Sequence, residues 1–352
     1  MSETLKIGIV VPPLLKTPPT GYGGLEVVAY DLCVALAKSG QDVTLIAPKG
    51  SYAEGCKVIE TIEAPEITEC NWMQKEGEAF NLYKGELGKF DLIHDHSWHA
   101  FPYLARITEQ FGKDLKICHT AHGHIDWNRA AVKPEVAPIC LIGISAYMQM
   151  EFTTQGWPAR YVYNGIDMTK YSYQKEKENR FVFVGRISKF KQPHLAIDAA
   201  VAAGVPVDIV GGSFVDDKMY LENIRKKCEM SGGMATLHLD ASHEEKTKMV
   251  GRAKACMVPS AFNEPFGLTA VESIAQGTPV IALDDGALSE LITPKVGKVC
   301  GSNEAFIRAA KDFEIGNCDP VDCRQRAEYF SREKMAERYM KVYREVIEGP
   351  GW

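Results

Sequence analysis

The chain has 352 residues, of which 45% are hydrophobic and 24% charged, and its formal net charge is -6. This length exceeds what one ordinary hydrophobic core serves and predicts two domains. The composition is that of an average soluble globular protein, and the acidic balance argues against nucleic acid as a partner.

The ten cysteines show no CxxC pair and no regular spacing. Several lie within apolar runs, which favours buried thiols in a reducing compartment over a metal cluster. The first apolar run, Ile7–Val11, is too short for the core of a signal peptide. No run approaches the ~20 apolar residues of a membrane span. We therefore expect a cytoplasmic protein made without an export signal.

In chain order, the first elements predict a βαβ unit. A strand over Leu5–Val11 leads through a proline-rich loop and a glycine turn into a helix, whose apolar residues recur at helical spacing from Leu25 to Leu36. Gly40 ends this helix, and Asp42–Ala47 supplies the second strand. Such a crossover predicts a parallel sheet. Three more short apolar strands are predicted in this half: Asp91–His94, Lys116–Thr120 and Ile139–Ile144.

A second βα series follows the turn Asn164-Gly165, where we place the domain boundary. The last segment has helical period from Met335 to Val346. The predicted domains are residues 1–167 and 168–330, with a final helix in 331–352. The strands of the second series are Arg180–Gly185, Val205–Gly211, Ala235–Leu239, Ala255–Pro259 and Pro279–Leu283.

Two candidate phosphate-binding segments lie at predicted strand ends. Gly21-Tyr22-Gly23-Gly24 stands before the first helix, where unpaired N–H groups and the helix dipole suit an anion. A tight turn without ligand explains these glycines equally well. Arg186 and Lys191 follow a strand, and a guanidinium beside an ammonium suits a diphosphate. By spacing alone, surface charge is the more ordinary explanation of this pair.

The segment richest in chemistry runs from Glu264 to Glu272, with the sequence Glu-Pro-Phe-Gly-Leu-Thr-Ala-Val-Glu. Gly267 opens a predicted helix, whose first N–H groups could receive phosphate oxygens. Glu264 precedes this helix and Glu272 lies in its second turn, so both carboxylates can accept hydrogen bonds from one ligand. A solvated helix face would explain Glu272, but not Pro265-Phe266-Gly267 beside it.

Six histidines between residues 94 and 124 raise the hypothesis of a metal site. A tetrahedral site needs converging ligands, usually with cysteine or carboxylate support. The polar rim of a ligand cleft accounts for these histidines without a metal, and the chain has no Asp-x-Asp motif. We expect neither a metal nor another cofactor. The histidines are His94, His96, His99, His119, His122 and His124.

Together these motifs resemble the retaining family-four glycosyltransferases of GT-B fold, including their short antibiotic-pathway members. The resemblance covers nearly the whole chain. It implies an α/β protein with two Rossmann-like, doubly wound parallel-sheet domains facing a cleft, and a C-terminal helix packing back on the N-terminal domain. The motifs that carry it are Phe183-Val-Gly-Arg186…Lys191, Pro259-Ser…Glu264-Pro-Phe-Gly-Leu…Glu272-Ser-Ile-Ala-Gln-Gly-Thr-Pro-Val280, Tyr163-Asn-Gly-Ile-Asp167, Gly23-Gly24, His94-Asp-His96 and Thr120-Ala-His122-Gly123.

The resemblance also implies roles for individual residues. Arg186 and Lys191 would hold the donor diphosphate, Glu264 would contact the transferred sugar, and Glu272 would contact the ribose. His122 matches an active-site histidine near that sugar, which completes a catalytic set of His122, Glu264, Arg186 and Lys191. Further donor contacts are implied at Gly23, Gly24, Phe266, Gly267, Leu268 and Thr269, and we place the acceptor side at His94, His96 and His124.

Two positions depart from the family pattern, because Gln192 and Asp240 each replace a usual glycine. The second lies near the expected site of the nucleotide base and leaves the identity of that base open.

The predicted function is a metal-independent, retaining hexosyltransferase that uses a UDP-sugar rather than a GDP-sugar. Two alternatives stay open: a sugar phosphorylase or nucleotide-sugar epimerase on the same fold, and a non-catalytic nucleotide-sugar-binding subunit. The acidic stretch Glu60–Glu86 lacks the basic, apolar character of a membrane-binding helix. A soluble or saccharide acceptor is therefore favoured over a lipid.

Overall fold

A computed structural model describes residues 4–21, 23–66, 71–107, 115–124, 139–213, 215 and 217–349. The chain divides into two compact units, Met1–Gly165 with Arg332–Trp352, and Ile166–Ser331. The first unit, here called the N-terminal unit, is therefore built from both ends of the chain. Among the described helices, none has the length and apolar character needed to cross a membrane.

The N-terminal unit contains a seven-stranded sheet whose neighbouring strands are all parallel. Its order is β3-β2-β1-β4-β5-β6-β7. The central strands are almost wholly buried, whereas β3 and β7 at the edges are short and half-exposed. The sequence predicted the five inner strands only. Their bounds are β1 Lys6–Val10, β2 Asp42–Ala47, β3 Lys57–Glu60, β4 Leu92–Asp95, β5 Ile117–Ala121, β6 Cys140–Gly143 and β7 Ala159–Tyr161.

The second unit, Ile166–Ser331, is called the C-terminal unit here. It contains a six-stranded parallel sheet of order β10-β9-β8-β11-β12-β13. The edge strand β13 was not predicted, because its four residues alternate without a continuous apolar run. The bounds are β8 Glu178–Val184, β9 Val207–Gly211, β10 Ala235–Leu239, β11 Ala253–Val258, β12 Val280–Leu283 and β13 Gly297–Cys300. Both sheets thus have the doubly wound parallel arrangement of the GT-B fold.

The helices begin at recognisable capping residues. Ser242 caps its helix through a capping box with Glu245, and Asn71, Ser145 and Asp217 accept a backbone N–H at their helices' starts. The described helices are α1 Gly24–Lys38, α2 Trp72–Tyr83, α3 Pro102–Ile107, α4 Ala146–Thr154, α5 Pro193–Ala203, α6 Lys218–Glu229, α7 His243–Arg252, α8 Leu268–Ala275, α9 Leu288–Leu291, α10 Asn303–Asp312, α11 Pro320–Glu328 and α12 Arg332–Glu348.

The helix α12 packs inside the N-terminal unit, against α1 and β5. Its residues Tyr339 and Tyr343 are fully buried, with ring centroids 5.8 Å apart. The Tyr343 hydroxyl lies 2.7 Å from Nδ1 of His94, and the Tyr339 hydroxyl lies 3.0 Å from Oγ1 of Thr120. Because Tyr side chains bury large apolar areas and keep a polar tip, α12 both seals this core and hydrogen bonds to the strand ends.

The order of the strands places the candidate residues at one point of each sheet. Chain order reverses between β1 and β4 in the first sheet, and between β8 and β11 in the second. At such a switch point the loops after the two central strands diverge and open a crevice at the carboxyl ends. The glycine turn and His96 follow β1 and β4, while Lys191 and Glu264 follow β8 and β11.

Candidate active site

In the C-terminal unit, the loops after β8 and β11 bring Lys191 and Glu264 together. Nζ of Lys191 donates to Oε2 of Glu264, and the same oxygen accepts a hydrogen bond from the Ser260 hydroxyl at 2.9 Å. Lys191 also lies over the ring of Phe262, with Nζ 4.5 Å from the centroid. Glu264 is only 7% exposed. An ammonium and a carboxylate are thus fixed side by side at the switch point, and Arg186 is exposed on the same loop as Lys191.

Asp285, which the sequence analysis did not identify, holds the Glu264 loop in place. Its carboxylate accepts the backbone N–H groups of Phe262 at 3.1 Å, Asn263 at 3.0 Å and Glu264 at 2.9 Å. A Cβ added at Gly286 would stand 2.2 Å from the carbonyl oxygen of Glu264, so only glycine permits this approach. One signal in the sequence could have pointed to Asp285. It is a carboxylate that precedes a glycine, Asp285-Gly286, just after the strand β12.

The helix α8 begins at Gly267, whose φ of 105° lies in the region that favours glycine. Leu268 and Thr269 are its first residues, and their N–H groups precede the hydrogen-bonded ladder of the helix. A helix N-terminus of this kind suits an anion, because its N–H groups and the helix dipole both favour negative charge. The side chain of Phe266 is buried against Phe330, with centroids 6.0 Å apart. A ligand contact at position 266 would therefore come from the backbone.

Glu272 lies in the second turn of α8 and is half-buried. Its Oε1 accepts a hydrogen bond from the Tyr171 hydroxyl at 2.9 Å. The Tyr171 ring packs edge-on against His243, with centroids 5.7 Å apart. This contact fixes the direction of a carboxylate that the resemblance assigns to the ribose.

The two departures from the family pattern both have positive φ, 49° at Gln192 and 55° at Asp240. Glycine reaches this region without a steric penalty, whereas other residues occupy it at a cost. At Asp240 the side chain compensates, since Oδ1 accepts the N–H of Ser213 at 2.9 Å. Both positions therefore keep a left-handed backbone, the conformation that glycine adopts most easily.

In the N-terminal unit, Gly23 precedes α1 and Gly24 is its first residue. A Cβ at Gly23 would lie 2.8 Å from the Pro19 ring and 2.9 Å from Oε2 of Glu26. Glu26 is 6% exposed, and burial raises the pKa of this carboxyl to about 7. The turn thus packs closely around a buried acid.

Three histidines at the ends of β4 and β5, namely His94, His96 and His122, form a connected cluster. His94 is fully buried, and its two ring nitrogens lie 2.7 Å from the Tyr343 hydroxyl and 2.7 Å from Oγ1 of Thr120. The His96 ring lies 3.9 Å from that of His94, and its Nδ1 lies 2.7 Å from Nε2 of His122. His94 therefore supports the site from beneath, while the half-buried His122 reaches the surface. The sequence pattern had placed His94 on the polar rim of a ligand cleft, whereas its ring is buried.

Burial disfavours the charged form of all three histidines in this cluster. Burial lowers the pKa of His94 and of His96 well below the usual value, and neighbouring histidines lower both further. The pKa of His122 is lowered to about 3, by desolvation first and by His119 second, although the residue is only half-buried. A protonated imidazole is thus disfavoured at each of these positions.

The other histidines of this region each pair with a carboxylate. Nδ1 of His119 lies 2.8 Å from Asp95, and Nδ1 of the exposed His124 lies 2.8 Å from Glu151. His99 binds the buried Glu76 at 2.8 Å. Within the described residues, no three His, Cys, Asp or Glu side chains converge to hold a metal ion.

Two family models match the chain. Residues 22–170 match Glycosyltransferase Family 4, and residues 168–330 match Glycosyl transferases group 1. Together they cover residues 22–330, which include every described strand except β1.

Curated relatives and solved structures agree with these matches. A D-inositol 3-phosphate glycosyltransferase of Mycobacteroides abscessus is 35% identical over 78% of this chain and 72% of its own, and a glycogen synthase of Mycobacterium tuberculosis is 28% identical over 88% and 86%. AviGT4, a glycosyltransferase involved in avilamycin A biosynthesis, superposes with a TM-score of 0.77 at 22% identity over 99% of each chain. Anabaena Alr3699/HepE, solved in complex with UDP-glucose, gives a TM-score of 0.73 at 15% identity, covering 96% of this chain and 99% of that one.

Proposed function

The chain belongs to the glycosyltransferases of group 1, with a family-four N-terminal domain and the GT-B fold, and from this premise we propose its reaction in detail. It transfers a hexosyl group from a nucleotide-diphosphate sugar to an acceptor hydroxyl, with retention of anomeric configuration and without a metal ion. The donor carries UDP, in preference to GDP.

The observation that carries the proposal is the fixed Lys191–Glu264 pair beside the N-terminus of α8. A nucleotide-diphosphate sugar presents an anionic diphosphate joined to a neutral, hydroxyl-rich ring. The ammonium of Lys191 and the N–H groups of Leu268 and Thr269 match the first part. The carboxylate of Glu264, already oriented by Ser260, matches the second because it accepts hydrogen bonds from sugar hydroxyls.

The difficult step is cleavage of the anomeric C–O bond, during which negative charge grows on the leaving diphosphate. Lys191, Arg186 and the α8 N–H groups stabilise that charge in place of a metal ion. If each oriented donor contributes about 3 kcal/mol, two or three of them supply a large part of the barrier reduction. Lys191 and Ser260 both bind Oε2 of Glu264, which holds this carboxylate in one orientation as a hydrogen-bond acceptor. We therefore favour attack by the acceptor hydroxyl from the leaving-group side over a covalent intermediate on Glu264.

Support for UDP comes from the fold neighbour solved with UDP-glucose. The acceptor follows less directly from the relatives, whose names include both an inositol-phosphate glycosyltransferase and a glycogen synthase. Both of those names indicate polar acceptors. We therefore propose a soluble, hydroxyl-rich acceptor that binds the N-terminal unit, where His122 contacts the substrate.

Two measurements test this function. A thermal-shift assay should compare UDP, GDP and ADP, each alone and as its glucose or mannose ester. The right nucleotide stabilises the native chain by mass action and therefore raises the melting temperature. We expect the largest shift with UDP compounds. Product analysis with and without saccharide acceptors then separates transfer from phosphorolysis or epimerisation. A sugar phosphate product, or an interconverted donor formed without acceptor, would refute the transferase.

Variants of the pair provide the mechanistic arm. Lys191→Ala and Glu264→Gln should each lower kcat by about 10²–10³-fold, as removal of one oriented group does elsewhere. Lys189→Ala is the matched control, because Lys189 is exposed on the same loop and its ammonium pairs with Asp217 at 3.0 Å, not with Glu264. Wild-type rates in either pair variant would contradict the assignment.

A further inference from the structure

His96 and His122 share a hydrogen bond whose proton can belong to either ring. Nδ1 of His96 lies 2.7 Å from Nε2 of His122, and both rings are neutral near pH 7 because burial depresses each pKa. If the proton belongs to His96, then His122 carries its own proton on Nδ1. If it belongs to His122, then Nδ1 of His122 is a bare acceptor and His96 is protonated on Nε2. The two arrangements give His122 opposite chemistry.

The surroundings of His96 distinguish the two arrangements. His96 is 1% exposed, and its Nε2 has no hydrogen-bond partner in the described part of the chain. A buried N–H group without an acceptor is rarer in native proteins than a buried acceptor without a donor. The arrangement in which Nε2 of His96 is bare avoids that unpaired donor. Its proton then lies on Nδ1, directed at His122.

The His96 ring is also held in its plane. It packs against the His94 ring, with the centroids 3.9 Å apart and the planes tilted by 42°. His94 is itself bonded at both nitrogens, to Tyr343 and Thr120. Buried rings packed in this way sit in single rotamers. The direction of the His96 Nδ1–H bond is therefore fixed by contacts that no ligand needs to supply.

We infer that His96 is a positioning residue, which donates its Nδ1–H to Nε2 of His122 and leaves His122 with one proton, on Nδ1. Within the proposed glycosyl transfer, on which this role rests, His122 then donates a hydrogen bond to a substrate oxygen. It does not take the proton of the acceptor hydroxyl. This distinguishes a sugar-orienting histidine from a general base.

The tautomer can be measured without turnover. The full-length protein, labelled with ¹⁵N at histidine, is examined near pH 7 by long-range ¹H–¹⁵N correlation, with His122→Gln and His96→Asn used for assignment. We expect Nδ1 of His122 to be protonated and Nε2 to be bare. A protonated Nε2, or a doubly protonated ring, would overturn the inference. Failure of every donor to react would refute the proposed function and leave this spectrum unchanged.

Two variants test the role of His96 itself. In His96→Asn the amide nitrogen can replace Nδ1 as donor, so His122 keeps its tautomer and kcat falls by less than about tenfold. In His96→Asp the carboxylate only accepts, so the proton moves to Nε2 of His122 and kcat falls about 10²–10³-fold, as for loss of one oriented donor. His99→Asn is the control, since His99 is buried in the same loop but bonded to Glu76.

The paired variants also exclude a merely structural role. Equal kcat in the Asn and Asp variants, with the same His122 tautomer in both, would overturn the inference. If the Asp variant does not fold, the wild-type spectrum still decides.

Discussion

The substitution Asp285→Asn tests whether one carboxylate sets the geometry of the loop that carries Glu264. The three N–H groups of residues 262–264 all point at this side chain. An amide has one oxygen in place of two, and its NH₂ group faces a backbone donor. At least one N–H group is thus left without an acceptor, while the rest of the fold is unchanged.

The size of the effect follows from the bonds lost. A hydrogen bond to a charged group contributes about 1.5–3 kcal/mol, and the bonds from Phe262 and Glu264 are half-buried whereas that from Asn263 is exposed. We expect the free energy of unfolding to fall by about 2–4 kcal/mol and the melting temperature by roughly 5–15 °C. A shift of Glu264 by ~1 Å would lower kcat on the order of 100-fold.

Scanning calorimetry and initial transfer rates measure the two consequences on the same sample. Asp284→Asn is the matched control, because Asp284 is an exposed neighbour and should change stability by no more than about 0.5 kcal/mol. A normal melting temperature together with a normal kcat in Asp285→Asn would refute the reasoning. A lower melting temperature with normal kcat would show that the loop does not position Glu264.

Two further predictions concern the N-terminal unit. Burial raises the pKa of Glu26 from 4.5 to about 7, so the folded chain favours the protonated acid. This contribution to stability is complete below pH 4.5 and is lost as the pH rises through 7. In urea unfolding, Glu26→Gln should therefore match the wild type near pH 4 and exceed it by up to about 3 kcal/mol near pH 8; equal stability at both would contradict the burial argument. Arg332 forms a buried ion pair with Asp31 at 3.2 Å, and Arg332→Met should destabilise by about 3–5 kcal/mol because the buried Asp31 carboxylate loses a positively charged partner. The double variant with Asp31→Leu should recover much of that loss, and an additive loss would refute the pairing.

The local features of the donor site could be read from the sequence. The segment around Gly267 combines a glycine before an apolar helical repeat with carboxylates at two spaced positions, and each feature depends only on nearby residues. The prediction that Gly267 opens a helix is confirmed, with α8 beginning at the next residue. Inner strands were predictable for the same reason, since full burial leaves continuous apolar runs.

Features that depend on distant pairs could not be read in this way. Asp285 acts on Glu264 only because β11 and β12 are neighbours, and strand order is not written in any one strand. The burial of His94 arises because Tyr343, far along the chain, covers it. A histidine at a strand end is equally compatible with an exposed rim until that partner is known.

The position of α12 has a consequence for how this protein is made on the ribosome. Residues 166–331 are continuous and can fold once they have emerged, but the N-terminal unit lacks α12 until synthesis reaches it. At 5–20 residues per second, that interval is roughly ten seconds or longer. During it, the face of α1 that packs on α12 and the space above His94 stay uncovered and open to chaperones and proteases. A chain that stops before Arg332 would lack the Tyr343 hydroxyl that bonds His94 and the Tyr339 hydroxyl that bonds Thr120.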